Sequence, residues 1–327
     1  MAGKDIRRLV AYGSRIDNQE KVNIVRRILL GLESAGVDDV LLMPDTFNIG
    51  LKALEGIHHP LRLRAQILEM DVHGDADDSL QAAQRMREAG AQCLIVLGGD
   101  GTHRVVAKAA ADLALVAVST GTNNVFPQII EGTVAGLAAG LYARHAGHVG
   151  GVIAPTKRLE ILRQGELYDI ALVDVAVSNQ QFIGARALWD VSTIQELFLT
   201  RGSPANIGLS SIAGWRCPIA PQEPHAIHLM LGPDGLRVPA PIAPGLIVPV
   251  GIKAQRLIQP GESIAIGHAP ALLALDGERE SLVREGERWE VVLSWDGPKV
   301  LDIDRMLQEA QRQGWHRGRG AGGVVGS

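Results

Sequence analysis

Cysteine is nearly missing from this sequence: Cys93 and Cys217 are the two present in 327 residues. Two thiols that far apart exclude a disulfide framework and a zinc site of the Cys-x-x-Cys type, and they fit a reducing compartment. No window approaches the ~18 unbroken apolar residues that a membrane helix requires. The N-terminal residues 1–8 are charged and lack the apolar stretch of a signal peptide. There is no basic excess either, since 32 Lys and Arg stand against 36 Asp and Glu. A net charge of −4 argues against nucleic acid or an anionic membrane as the main partner. Three familiar nucleotide and nucleophile motifs are absent: GxxxxGK[ST], a GxGxxG in the first loop, and GxSxG. The sequence therefore reads as a soluble, cytoplasmic protein that is neither a P-loop NTPase nor an α/β-hydrolase.

Glycine, by contrast, is abundant, at 38 residues, while the aromatics number 12. Glycines in such numbers, without collagen periodicity, mark turns or places where another group approaches the backbone. Their placement matters more than their number. The first 150 residues alternate short apolar runs (9–11, 40–43, 65–70, 93–97 and 115–118) with stretches of helical periodicity (22–32, 49–54, 78–89, 103–112 and 133–144). This alternation predicts an α/β domain with a doubly wound parallel sheet and right-handed crossovers. Gly132, Gly136 and Gly140 recur every fourth residue and give the last of these helices a bare face, expected to pack on the sheet. From residue 150 the helical period thins, and strand-like runs recur at 171–177, 227–231, 245–250, 263–266 and 289–293, predicting a β-rich second domain. A helix is expected at 190–199 and another at 303–313. The expected boundaries are 1–149, 150–293, a terminal segment 294–317, and a glycine-rich, disordered tail 318–327.

The strongest local signal is Gly98-Gly99-Asp100-Gly101-Thr102, placed directly between a buried strand and a helix. Ligands of parallel sheets bind at the carboxyl ends of strands. A helix N-terminus there offers unpaired amides and a positive dipole end to phosphate. The glycines let the backbone approach a polyphosphate, and Thr102 is the expected helix N-cap. Asp100 would repel phosphate unless it contacts a metal or activates a hydroxyl. One βα unit later the next strand runs into Ser119-Thr120-Gly121-Thr122-Asn123-Asn124, which brings a second polar loop to the same sheet edge. Further along, Asp276-Gly277-Glu278 reads on spacing alone as a hairpin turn. His225 and His228 form an H-x-x-H pair, but a strand would send them to opposite faces.

Residues 98–102 spell GGDGT, the signature shared by NAD kinases, diacylglycerol kinases and sphingosine kinases, and the order of α/β and β-rich halves is similar to theirs. The resemblance covers nearly the whole chain apart from the tail. It implies ATP binding and Mg²⁺-dependent phosphoryl transfer to a hydroxyl, with a C-terminal segment that returns toward the first domain. It places ATP on Gly98, Gly99, Gly101 and Thr102, and nucleotide or acceptor on Ser119, Gly121, Thr122, Asn123 and Asn124. Asp100, Asp276 and Glu278 become its catalytic carboxylates, with Asp276 also the candidate Mg²⁺ contact. Residues 120–126 and 275–278 resemble elements of the lipid-kinase branch. Pro44-Asp45 and residues 208–214 and 275–280 together look most like the acetoin catabolism protein X group, bacterial proteins classed with the NAD kinases. The acceptor then stands between NAD and a small polar alcohol. A lipid acceptor, or a nucleotide sensor without turnover, remain the alternatives. The resemblance also implies a homo-oligomer.

Overall fold

The computed structural model describes residues 16–121, 123–180 and 190–315. The expected strand at 9–11, Thr122 and the tail 318–327 lie outside the described residues.

The N-terminal part is α/β. Its elements are α1 (Asn18–Ser34), β1 (Asp39–Leu42), α2 (Ile49–Glu55), β2 (Arg64–Ile67), α3 (Ala76–Glu88), β3 (Cys93–Gly98), α4 (Asp100–Ala110), β4 (Ala114–Ser119) and α5 (Gly132–His145). β1 pairs with β2 in parallel, and β3 pairs with β4 in parallel from Cys93–Ala114 through Gly98–Ser119. Successive residues of β3 and β4 send their side chains to opposite faces. Leu94, Val96, Leu115 and Ala117 pack with Ala83 of α3 and Val106 of α4. Val116 and Val118 pack instead with Ile28 of α1 and Ala135 and Ala139 of α5. Helices thus cover both faces, as a doubly wound sheet requires.

The bare face of α5 meets a helix and not the sheet, which corrects the expected packing. A Cβ on Gly136 would lie 2.2 Å from the carbonyl oxygen of Ile28, and one on Gly132 would lie 2.8 Å from that of Ile24. Both carbonyls belong to α1, whose own Gly31 would clash with Thr133 and Leu137 in return. The glycines therefore bring two helix backbones together.

The remainder of the chain is dominated by antiparallel strands. After β5 (Ile153–Ala154) come β6 (Arg158–Arg163), β7 (Glu166–Ala171), β8 (Asp174–Ser178), β9 (Ile194–Leu199), α6 (Ser210–Arg216), β10 (Ala226–Ala243) and β11 (Leu246–Ile258). They are followed by β12 (Ser263–Ala265), β13 (Ala271–Leu275), β14 (Glu278–Val283), β15 (Trp289–Ser294), β16 (Lys299–Leu301) and α7 (Ile303–Gln313). Six strands, in the order β11-β10-β9-β8-β13-β14, form one sheet, and four, in the order β12-β15-β6-β7, form another. Val175, Val177 and Phe198 of the larger sheet pack against Leu159, Ile161 and Val291 of the smaller one. Its other face carries Ala176, Leu197 and Leu199 under Ile212 and Ala213 of α6.

The helix expected over 190–199 is a short 3-10 turn running into β9. Five of the six residues of β9 are buried, so their apolar run belongs to the middle of a sheet covered on both faces. β16 brings the chain back to the first unit, pairing in parallel with β4 and antiparallel with β5. Met306 and Ala310 of α7 then join the core beneath α5.

Candidate active site

β3 ends at Gly98, and α4 begins two residues later. Gly99 is the N-cap, with extended backbone (φ −97°, ψ −174°) and no side-chain capping bond, so Thr102 lies inside the first turn and is not the cap expected for it. The cap shifts because Asp100 swings its carboxylate out of the helix. Val125 N–H donates to both of its oxygens, at 3.0 and 3.1 Å, and Phe126 N–H donates to Oδ1 at 2.8 Å. The first polar loop is thereby tied to the second. His103, fully buried, donates from Nδ1 to the Gly99 carbonyl, 2.8 Å away. Burial pulls its pKa down to about 4, so the ring is neutral near pH 7 and, with that nitrogen protonated, donates to the carbonyl.

The glycines of the two loops are crowded by side chains. A Cβ on Gly99 would sit 2.8 Å from Oδ1 of Asn124, and one on Gly121 would sit 3.2 Å from its Nδ2. The Asn124 carboxamide thus fills the space between the loops, and its Nδ2 donates to Ser119 Oγ at 2.8 Å. Ser119 Oγ in turn donates to the Gly121 carbonyl at 3.0 Å. Gly98 faces Thr102 of the helix that follows its strand, and Gly101 faces the Glu278 carboxylate, 3.3 Å from where a Cβ would be. Glu278 therefore stands beside the first turn of α4, 177 positions later in the chain.

Asp276 reaches the same place. It adopts a left-handed conformation (φ 50°), and its buried carboxylate accepts from the backbone N–H groups of Leu172, Val173 and Asp174, with Oδ1 distances of 3.1, 2.7 and 3.2 Å. Arg104 Nε lies 3.7 Å from its Oδ2, and Arg104 Nη1 bonds Asp169 Oδ2 at 3.1 Å. Lys108 adds a second cation, 2.6 Å from Asp169 Oδ1. Asp100, Arg104 and Lys108 are spaced by four on one face of α4, which turns its charges toward the β-rich half. That periodicity was visible in the sequence, but the partners were not.

Burial raises the pKa of Asp100 to about 7, with the charge of Asp276 adding to the effect, against the amides of Phe126 and Val125 and the Arg201 guanidinium. Asp276 is likewise raised by burial, against Arg104 and its three amides. Arg201 is buried over the Phe126 ring, with its Cζ 5.1 Å from the centroid, and burial lowers its pKa to about 10. Sequence reasoning missed this residue.

Together these elements line a cleft of about 180 Å³ between the two halves, bordered by residues 99–102, 123–125, Asp174, 207–210, Ile242 and 276–278. The expected positions at 99–102, 123–124, 276 and 278 converge here. Gly98, Ser119 and Gly121 sit just behind, and Thr122 lies outside the described residues. Mg²⁺ held by Asp276 does not fit the donor set. Backbone amides and Arg104 occupy that carboxylate, its side chain has no exposure, and among the described residues no group of three His, Cys, Asp or Glu side chains could hold a metal. The H-x-x-H histidines do not meet: His228 Nε2 pairs with Glu196 at 2.9 Å, and His225 pairs with Glu223 at 3.0 Å.

A parallel α/β half joined to a β-rich half, with the glycine loop at their junction, defines an NAD kinase-like protein. Residues 19–146 match the ATP-NAD kinase N-terminal domain. The fold is similar to that of yeast NADH kinase complexed with NADH, with a TM-score of 0.51 over 93% of this chain and 86% of that one, at 13% identity. Residues 157–296 match the acetoin catabolism protein X C-terminal domain. The chain is also 36% identical over 326 residues to acetoin catabolism protein X of Cupriavidus necator, covering 95% of this chain and 90% of that protein. The chain belongs to the acetoin catabolism protein X family.

Proposed function

We propose that this protein is an ATP-dependent phosphotransferase that moves the γ-phosphoryl group of ATP to a hydroxyl of NAD or of a small polar alcohol, in acetoin catabolism. The observation that carries the reading is Asp100. It is a half-buried carboxylate at the open N-terminus of an eleven-residue helix, with a pKa of about 7, on the wall of an interdomain cleft. A group with that proton affinity is suited to take a hydroxyl proton near neutral pH. The Gly101 and Thr102 amides, free of any side-chain cap, supply donors for phosphate oxygens. Glu278, next to Gly101, borders the place where acceptor and phosphoryl meet. The similar proteins, a kinase of NADH and a protein of acetoin catabolism, agree with this chemistry. Among the described residues the carboxylates do not offer a protein-held metal site.

A nucleotide sensor without turnover is the second reading. It is favoured by the occupation of the Asp276 oxygens by backbone amides, which removes one expected catalytic carboxylate from solvent. Incubation with Mg-ATP labelled in the γ-phosphate and a panel of NAD, acetoin and diols separates the two. Transfer to one acceptor supports the phosphotransferase; ATP binding without transfer to any acceptor supports the sensor; no ATP binding sinks both.

A further inference from the structure

The acceptor side of the cleft carries two polar atoms that nothing among the described residues satisfies. Ser210, 1% exposed, has no hydrogen-bond partner at Oγ, and the buried Oδ1 of Asn123 has none either. Both residues line the cleft, Asn123 from the second polar loop and Ser210 from the first turn of α6. Buried polar groups are rarely left unpaired, because each costs its full desolvation. Two in one cleft point to a ligand that pairs with them.

The rest of the wall narrows the ligand's class. Ile207, Leu209 and Ile242 line the same cleft, and the last two are buried core residues. They offer an apolar strip beside the polar pair. The space is small: about 180 Å³ is room for roughly six water-sized groups at ~30 Å³ each. Ligand sites that bury a drug-sized molecule run to roughly 300–1,000 Å³.

We infer that the acceptor is a short vicinal diol or hydroxyketone and not a dinucleotide, and that Ser210 and Asn123 set this specificity. The inference rests on the phosphotransferase reading and deepens it. The acceptor lays its carbon chain against Ile207, Leu209 and Ile242. One oxygen bonds Ser210 Oγ, and a hydroxyl donates to Asn123 Oδ1 or faces Asp100. In transfer, Asp100 takes the proton of that hydroxyl. The hydroxyl oxygen's electron pair forms the new bond to the γ-phosphorus, and the bond from that phosphorus to its bridging oxygen breaks, its pair leaving on ADP.

Ser210→Ala removes a hydroxyl that holds nothing else, so the fold is expected to stay intact, with an unchanged or raised thermal midpoint. Binding of vicinal butanediol, of hydroxybutanone and of NAD is measured by ligand-observed NMR on the wild-type protein and on Ser210→Ala, without ATP. Ile242→Phe, which fills the strip, serves as a second variant. The expected result is that a four-carbon probe binds the wild type, binds Ser210→Ala five- to tenfold more weakly, and is excluded by Ile242→Phe. NAD binding in preference to both small probes would overturn the inference. So would failure of every small probe to bind, or equal binding by wild type and Ser210→Ala. A probe that binds with this dependence but receives no phosphoryl from Mg-ATP would refute the phosphotransferase reading and leave the acceptor class standing, which keeps the two failures apart.

Discussion

Replacing Asp100 with asparagine isolates the cost of burying its charge. The side chain is nearly isosteric, and its Oδ1 can keep the bonds from Val125 N–H at 3.0 Å and Phe126 N–H at 2.8 Å. The wild-type carboxyl has a pKa of about 7 in the folded protein and about 3.9 in an unfolded chain. The folded state therefore holds this proton more tightly. The stability it brings is complete below the unfolded value and is lost as pH rises through the folded one. At about 1.4 kcal/mol per pKa unit, the loss between pH 5 and pH 8 comes to about 2–3 kcal/mol. Urea unfolding of wild type and Asp100→Asn at those two pH values reads it directly. The difference between the proteins should shift by that amount in favour of the variant at pH 8. An identical pH dependence in the two proteins would refute the reasoning, because it would mean that Asp100 is ionised at no cost in its present surroundings.

Two further substitutions, each paired with a control, test the contacts that place the site. Gly136→Ala puts a methyl group 2.2 Å from the Ile28 carbonyl oxygen, and should cost about 1–3 kcal/mol in chemical denaturation, whereas Gly147→Ala, with nothing within 4 Å, should cost almost nothing. Arg104→Met strips the cation from Asp169 and Asp276 and should cost about 3–5 kcal/mol; the half-exposed Lys108→Met should cost well under that, and thermal unfolding ranks the two.

The sequence was most informative where structure is local. The α/β alternation, the position of 98–102 between β3 and α4, and α7 over Ile303–Gln313 follow from period, glycine stops and buried runs. What could not be read depends on residues far apart in the chain. Glu196, a charge inside an apolar run, suggests a helix face. It is buried in β9 because His228 on β10 and His268, 72 positions on, bond its two oxygens. The glycine spacing of α5 announced a close approach but could not say to what, and α1 is the neighbour. The long β10–β11 hairpin was glimpsed only in pieces, because Pro239, Pro241 and Pro249 interrupt its pattern. Pro249 is tolerated because β11 is an edge strand. At the site, GGDGT marked the helix end and the family resemblance pointed to Asp276 and Glu278, while Arg201 and Ser210 enter it from the other half through folding alone.

The central claim is that Asp100 takes the proton of an acceptor hydroxyl while ATP supplies the phosphoryl group. Single-turnover transfer from γ-labelled Mg-ATP, compared between wild type and Asp100→Asn with ATP affinity measured on both, tests it most directly. The account predicts transfer by the wild type and a loss of about 10²–10⁴-fold in the variant, with ATP affinity changed by less than about tenfold. Transfer by Asp100→Asn at the wild-type rate, or a wild-type protein that binds no ATP, would contradict it.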